Sequence, residues 1–392
     1  MKVSRYLCVA LLAFASILVS SDRLTAQDLP ANRGVAIQNP PVRRKPPRPV
    51  PGQPQPPRID EAMEEALAIG NAARDANPPR YSDAERGYRL ALRLAPRDSR
   101  PSVGLGNVFL LQDRYADAVT NYSRALQLNP ADRNVPAGLA IAYTLLGRLD
   151  EAEQTARRAI ERNRNDAANY TALGLIMYGR ENLPEAERAY RRSFELDSRN
   201  PLLPYQVGEV LRAQKRYADA LPFYRQALSL INPQEQTYQP SILAAFGSAL
   251  LRLGQLDEAA KQYARIIQLT PDSPIAVSSR SNLGLIYYAK GDFAQARKNW
   301  QEAARLNTAY APVHIGLLIL DGKLREASAQ LETYTREKPT DGDGWLMLGD
   351  VRRALGDEEA ARIAYVRAGQ LVPEYAVLPR PSLQSLMAPV AQ

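Results

Sequence analysis

Small and large apolar residues recur along this chain in a fixed pattern that is repeated nine times. Each copy is marked by an alanine in a similar setting, and the nine markers are Ala84, Ala118, Ala152, Ala186, Ala220, Ala259, Ala296, Ala327 and Ala361. The first five markers are 34 residues apart, and the later intervals of 39, 37, 31 and 34 residues stay close to that spacing. A period of this length indicates one supersecondary unit that is stacked many times.

Two helices can be predicted from the positions around each marker. Four residues after the marker stands a large side chain, aromatic in seven of the nine copies, as in Tyr122 and Trp300; this spacing places both residues on one helical face. Twelve residues before the marker there is usually a glycine, such as Gly106, which predicts an earlier helix that a neighbour approaches closely. Five copies carry glycine five residues before the marker, as at Gly147, where a helix ends readily in the left-handed conformation. Each copy is therefore predicted to be a helical hairpin.

These positions resemble those of the tetratricopeptide repeat family. The copy at residues 342–375 is the most similar, with Trp345, Leu348, Gly349, Ala361, Tyr365, Ala368 and Pro373 at the family's characteristic positions. The similarity covers residues 59–375 and implies an all-α fold, a right-handed superhelical solenoid of about nine hairpins. In such a solenoid the first helices line a concave groove. Residues 376–392 are left as a C-terminal tail.

The chain begins with a different kind of segment. Lys2 and Arg5 precede an apolar run that ends at Val19, which is shorter than a membrane helix of ~20 residues and typical of a secretory signal peptide. We predict a signal peptide at residues 1–26, with an uncleaved membrane anchor as the alternative. Cys8 is the only cysteine, so a cleaved chain would be free of cysteine and suited to an oxidising compartment. This favours an exported bacterial protein, either periplasmic or secreted.

Residues 27–58 have the composition of a linker. They hold ten prolines and six basic residues against one acidic residue, which predicts an extended and disordered tether. The formal net charge of the whole chain is +8, but the linker supplies +5 of it and the leader +2, which leaves about +1 for the rest. The repeat array is therefore nearly neutral, and no nucleic-acid partner is expected. The linker itself suits an anionic polymer or a membrane surface.

Residues that could carry chemistry are sparse. His314 is the only histidine, and without a cysteine in the mature chain neither a zinc cluster nor a Cys–His pair can be assembled. We therefore predict a non-enzymatic protein without catalytic residues, cofactor or metal.

The resemblance implies a binding function instead. In this family, positions 8, 11 and 15 residues before the marker commonly face the groove. The candidates for partner binding at such positions are Asn107, Tyr178, Tyr205, Glu209, Arg212, Tyr288 and Arg353. Their tyrosines suit a peptide segment. We therefore expect an exported scaffold that binds a partner peptide or protein in the groove, for example in an envelope assembly or export complex. The alternative is an envelope-tethered protein that binds an anionic polymer through its linker.

Overall fold

The computed structural model describes residues 59–76, 78–133, 135–232, 237–307 and 311–372, together with Leu383. These residues form eighteen helices, and the described part of the chain holds no strand. The helices are α1 (Ile59–Arg74), α2 (Tyr81–Leu94), α3 (Arg100–Leu111), α4 (Tyr115–Leu128), α5 (Val135–Leu145), α6 (Leu149–Arg162), α7 (Ala167–Gly179), α8 (Leu183–Leu196), α9 (Leu202–Ala213), α10 (Tyr217–Leu230), α11 (Gln239–Arg252), α12 (Leu256–Leu269), α13 (Pro274–Ala289), α14 (Phe293–Leu306), α15 (Ala311–Leu320), α16 (Leu324–Glu337), α17 (Gly342–Ala354) and α18 (Glu358–Leu371).

Consecutive helices pair into nine hairpins, each made of an odd-numbered first helix and the even-numbered second helix that follows it. The predicted all-α repeat solenoid is confirmed, while its right-handed course stays a prediction. The chain divides into two compact units, the N-terminal unit Met1–Gln206 and the C-terminal unit Val207–Gln392. The division falls within α9.

Close packing between small and large residues holds the hairpins together. All nine marker alanines are buried, each with at most 1% of its surface exposed. In the second hairpin, a Cβ built on Gly106 would lie 2.6 Å from Cε1 of Tyr122. The same ring also lies against the next hairpin, where a Cβ on Gly138 would lie 2.9 Å from its Cζ. Because one ring fills the space between two hairpins, stacking buries apolar area that a single hairpin would leave exposed.

The turn inside a hairpin requires a left-handed residue five positions before the marker. Gly147 has a φ of +76°, and the four other glycines predicted at this position also have positive φ. In three further hairpins the position is taken by Asp113, Glu181 and Lys215, each with a φ of +61°. The left-handed conformation costs a residue with a side chain about 1 kcal/mol. The surrounding helices therefore fix the turn even where glycine is missing.

The predicted signal peptide at residues 1–26 and the linker at residues 27–58 lie outside the described residues, as does the tail apart from Leu383. These assignments stay predictions. Within the described ranges, no helix is long and apolar enough to span a membrane.

Candidate binding surface

The first helices of neighbouring hairpins touch one another as well as their own second helices. In the N-terminal unit α3 packs on α5 and α5 on α7, and in the C-terminal unit α11 packs on α13 and α13 on α15. The outward sides of these first helices form one surface within each unit, which we call the first-helix surface of that unit. All seven predicted contact residues stand on first helices, namely α3, α7, α9, α13 and α17.

In the N-terminal unit these residues are Asn107, Tyr178 and Tyr205. Asn107 and Tyr178 are half-buried, whereas Tyr205 is only 5% exposed. Asn107 Oδ1 accepts a hydrogen bond of 2.6 Å from the hydroxyl of Tyr122, so the second helix of the same hairpin fixes the amide. Tyr178 leaves part of its ring open to solvent near the end of α7.

In the C-terminal unit Glu209 and Arg212 form an ion pair on α9. Nε of Arg212 lies 2.9 Å from Oε1 of Glu209, and Nη2 lies 2.6 Å from Oε2. The hydroxyl of Tyr224 donates to the same Oε1 at 2.7 Å. Glu209 is 5% exposed and the Arg212 side chain 26% exposed. The carboxylate is therefore a buried acceptor, and the guanidinium is the part of the pair that a partner can reach.

Tyr288 and Arg353 belong to a second group of polar side chains in this unit. The hydroxyl of Tyr288, on α13, donates to Oδ2 of Asp350 on α17 at 3.5 Å. The hydroxyl of Tyr365 donates to Oδ1 at 2.7 Å, and Nη2 of Arg353 lies 3.9 Å from that oxygen. Burial, with the negative charge of Asp350, raises the pKa of Tyr288 well above its ordinary value. Tyr288 therefore remains protonated and serves as a hydrogen-bond donor.

Three of the seven predicted contact residues are thus buried, because they pack within their unit rather than face solvent. Tyr205 and Glu209 are each 5% exposed, and Tyr288 is 2% exposed. Asn107, Tyr178, Arg212 and Arg353 are half-exposed. The structure brings Glu209 together with Arg212, and Tyr288 together with Arg353 through Asp350.

A cavity of about 80 Å³ lies between α13, α15 and α17. Its wall includes Trp300, Tyr334, Asp341 and Asp343. Oδ1 of Asp343 is buried, makes no hydrogen bond to the residues that the structure describes, and lies 3.9 Å from Nη1 of Arg252. Burial raises the pKa of Asp343 to about 6, and the positive charge of Arg252 only partly offsets this effect. The carboxyl group thus titrates near neutral pH.

Sequence reasoning missed a structural role of the position eleven residues before the marker. In three hairpins the side chain there accepts a hydrogen bond from the tyrosine four residues after the marker. The pairs are Tyr122 with Asn107, Tyr224 with Glu209, and Tyr365 with Asp350. A constant separation of 15 residues between the tyrosine and an Asn, Asp or Glu is the signal that would have revealed it. Where Leu175 takes this position, the buried hydroxyl of Tyr190 finds no partner among the described residues.

Across the described ranges, no group of three His, Cys, Asp or Glu side chains is arranged to hold a metal ion. Stacked helical hairpins with side chains displayed on their first helices define a repeat protein of the solenoid class. Three family models, each described as a tetratricopeptide repeat, match residues 109–175, residues 202–272 with 238–309, and residues 67–133 with 321–376. These matches cover more than half of the chain, which belongs to the tetratricopeptide repeat family.

Two relatives match a single stretch of the chain each. Over 99 residues it is 34% identical to the cytochrome c-type biogenesis protein CcmH of Escherichia coli, which covers 23% of this chain and 27% of the relative. Over 101 residues it is 26% identical to the Intraflagellar transport protein 88 homolog of Homo sapiens, which covers 26% of this chain and 12% of the relative. The chain therefore spans well under a third of either relative's length.

Among solved structures, the APC/C hetero-tetramer Cut9-Hcn1 is similar to this chain with a TM-score of 0.50 and 14% identity. The similarity covers 85% of this chain and 63% of that one. At this identity the likeness concerns the fold alone. Together with the family matches, it supports a protein–protein interaction scaffold as the general class of function.

Proposed function

We propose that this chain is an exported, non-enzymatic scaffold that holds a segment of a partner protein on its first-helix surface. The observation that carries the proposal is the presence of half-exposed Tyr178, Arg212 and Arg353 on tightly packed first helices. Packing on neighbouring helices fixes the positions of these side chains before a partner arrives. A partner that meets such a preorganised surface loses less conformational freedom on binding than one that must order it.

The chemistry of the half-exposed residues fits a polypeptide segment. The ring of Tyr178 offers a large contact area at a small cost in conformational entropy. Arg212 and Arg353 present guanidinium groups that can donate to backbone carbonyls or to carboxylates of the segment. A mixed surface of this kind suits an extended or helical segment.

Export is supported by the sequence of the leader, with its basic start and short apolar run. The two relatives are named for transport and for biogenesis of other proteins. A scaffold that acts in an assembly outside the cytoplasm is in keeping with both features.

The test is a site-specific photocrosslink in the native host. Benzoylphenylalanine replaces Tyr178 in the full-length chain, because the two aromatic side chains are similar in shape. The matched control places the same residue at Arg158, which is exposed on the second helix α6. We expect a discrete crosslinked partner from position 178 and none from position 158. Equal crosslinking at both positions, or none at position 178, would count against the proposal.

The basic linker supports a second candidate function, binding of an anionic polymer. Residues 27–58 carry six basic residues against one acidic residue. Binding through such a segment should weaken steeply as salt is raised, whereas a contact dominated by apolar area should not. A titration of the full chain at two ionic strengths therefore separates the two functions.

A further inference from the structure

Leu383 is the one described residue beyond Val372, and it is buried. Only 3% of its surface is exposed, and it belongs to the apolar cluster that contains Tyr288 and Met347 of the C-terminal unit. Both of these residues lie on first helices: Tyr288 reaches from α13 to α17, and Met347 lines the cavity between α13, α15 and α17. A leucine of the C-terminal tail thus packs with residues of the first-helix surface.

A simpler role would be to cap the end of the last hairpin. That end has a separate apolar cluster, formed by Leu346, Ala368 and Val372. Leu383 is not a member of this cluster but of the one that contains Tyr288. Its burial is therefore better explained by docking towards the first-helix surface than by capping.

The burial of equivalent positions points the same way. Tyr178 and Tyr288 both stand eight residues before their marker alanine, yet Tyr178 is half-exposed and Tyr288 is 2% exposed. Asn107 and Asp350 both stand eleven residues before theirs, and again the first is half-exposed while Asp350 is 1% exposed. Part of the first-helix surface of the C-terminal unit is thus covered, whereas its counterparts in the N-terminal unit remain open.

The tail has the length and the composition for this role. Eleven residues separate Val372 from Leu383, and an extended chain of that length reaches up to ~36 Å. Neighbouring packed helices lie about 10 Å apart, so Leu383 can reach the surface of α13 from the end of α18. The segment also carries prolines at positions 373, 379, 381 and 389, which favour extended backbone and disfavour a helix.

We propose that residues 373–392 dock in cis on the first-helix surface of the C-terminal unit, with Leu383 as the apolar anchor. The surface is then a binding site for an extended segment in which prolines flank a leucine, and a partner segment of this kind must displace the tail. This inference rests on the proposed function, because it assumes that a first-helix surface binds polypeptide. It concerns the C-terminal unit alone, so the crosslink at Tyr178 in the N-terminal unit tests the proposed function separately.

The first test measures whether Leu383 is protected in the full chain. Cys8 is the only native cysteine, so Cys8→Ser gives a background free of thiols. Leu383→Cys and the control Ala391→Cys are then labelled with a maleimide under native conditions. We expect position 383 to react at least ~10-fold more slowly, because a labelled thiol requires local opening. Equal labelling rates would overturn the proposal.

The second test asks whether the tail behaves as a ligand. A fluorescent synthetic peptide of residues 373–392 is titrated into the full chain and into its Leu383→Asp variant, which should release the tail. A tethered tail competes at an effective concentration of ~1 mM, so we expect the peptide to bind the variant at least ~10-fold more tightly than the wild-type chain. A control peptide that carries Leu383→Asp should not bind either protein.

Three results would overturn the proposal. A folded Leu383→Asp variant that ignores the peptide would show that the tail is not a ligand. Equal affinity of both proteins for the peptide would show that the surface is not occupied in cis. Collapse of the thermal transition in both Leu383→Asp and Leu383→Ala would make Leu383 an integral part of the core. If crosslinking at position 178 still succeeds in these cases, the proposed function stands without this inference.

Discussion

Two buried tyrosines of the N-terminal unit differ in one respect, and this difference makes a matched pair of substitutions informative. Tyr122 and Tyr190 both stand four residues after a marker alanine and are 1% and 0% exposed. The hydroxyl of Tyr122 donates to Asn107 Oδ1 at 2.6 Å, whereas that of Tyr190 has no partner among the described residues. Leu175 stands where Asn107 stands in the other hairpin. Replacement of each tyrosine by phenylalanine removes only the hydroxyl.

The expected changes in the free energy of unfolding have opposite signs. Tyr122→Phe loses a hydrogen bond worth ~1 kcal/mol, with a range of about 0.5–1.5 kcal/mol. Tyr190→Phe removes a hydroxyl whose burial without a partner costs ~1–3 kcal/mol, so this variant should be more stable than the wild type by ~1 kcal/mol. The two variants should therefore differ by about 2 kcal/mol, although the substitutions are chemically identical.

Urea unfolding followed by circular dichroism measures the difference, provided that the slope m is the same for both variants. Tyr224→Phe extends the series, because it removes a donor from the buried carboxylate of Glu209. Hydrogen bonds to charged groups are worth more, so it should cost at least as much as Tyr122→Phe. The reasoning would be refuted if Tyr190→Phe lost as much stability as Tyr122→Phe.

Three further predictions concern a buried charge, the marker packing and the leader. The pKa of Asp343 is raised from 3.8 to about 6, so its folded form keeps a proton that the unfolded chain releases, and stability falls as pH rises between these values. Asp343→Asn should therefore stabilise the protein by ~2–3 kcal/mol at pH 7 and by little at pH 4, as measured by urea unfolding at both pH values. Ala186→Leu should cost ~1–3 kcal/mol in a thermal melt because its site is fully packed, whereas Arg158→Leu on an exposed face should be almost silent. Protein isolated from the native host should start near Gln27, and limited proteolysis should remove residues up to 58 while the helices survive; an intact Met1 in the membrane fraction would favour the anchor.

The architecture could be predicted because it depends on residues that are close in sequence. The marker alanine Ala118, the ring of Tyr122 and Gly106 all belong to one hairpin, and the structure packs them together as their spacing predicted. Gly147 likewise takes its left-handed conformation within a single turn. Local constraints of this kind are repeated nine times, so one consistent pattern fixes the whole fold.

The exposure of the candidate residues could not be predicted in the same way. Tyr288 is buried because it reaches Asp350, which is 62 residues further along the chain, and because Leu383 joins the same apolar cluster. Neither contact follows from the repeat spacing. Glu209 looks like a surface acid in the sequence, but it accepts from Tyr224 within its own hairpin. A rule that assigns groove positions by spacing does not distinguish an accessible side chain from one that completes the packing.

The affinity of the photocrosslinked partner for the full chain and for Tyr178→Ala, measured by calorimetry, tests the central claim most directly. Tyr178→Ala should weaken binding by ~10- to 100-fold, or ~1–3 kcal/mol, because exposed aromatic anchors carry much of the energy of an interface. The melting temperature should change little, since the ring is half-exposed. Arg158→Ala and deletion of residues 28–58 should leave the affinity unchanged. Undiminished affinity in Tyr178→Ala, or loss of binding on removal of the linker alone, would contradict the claim that the first-helix surface binds the partner.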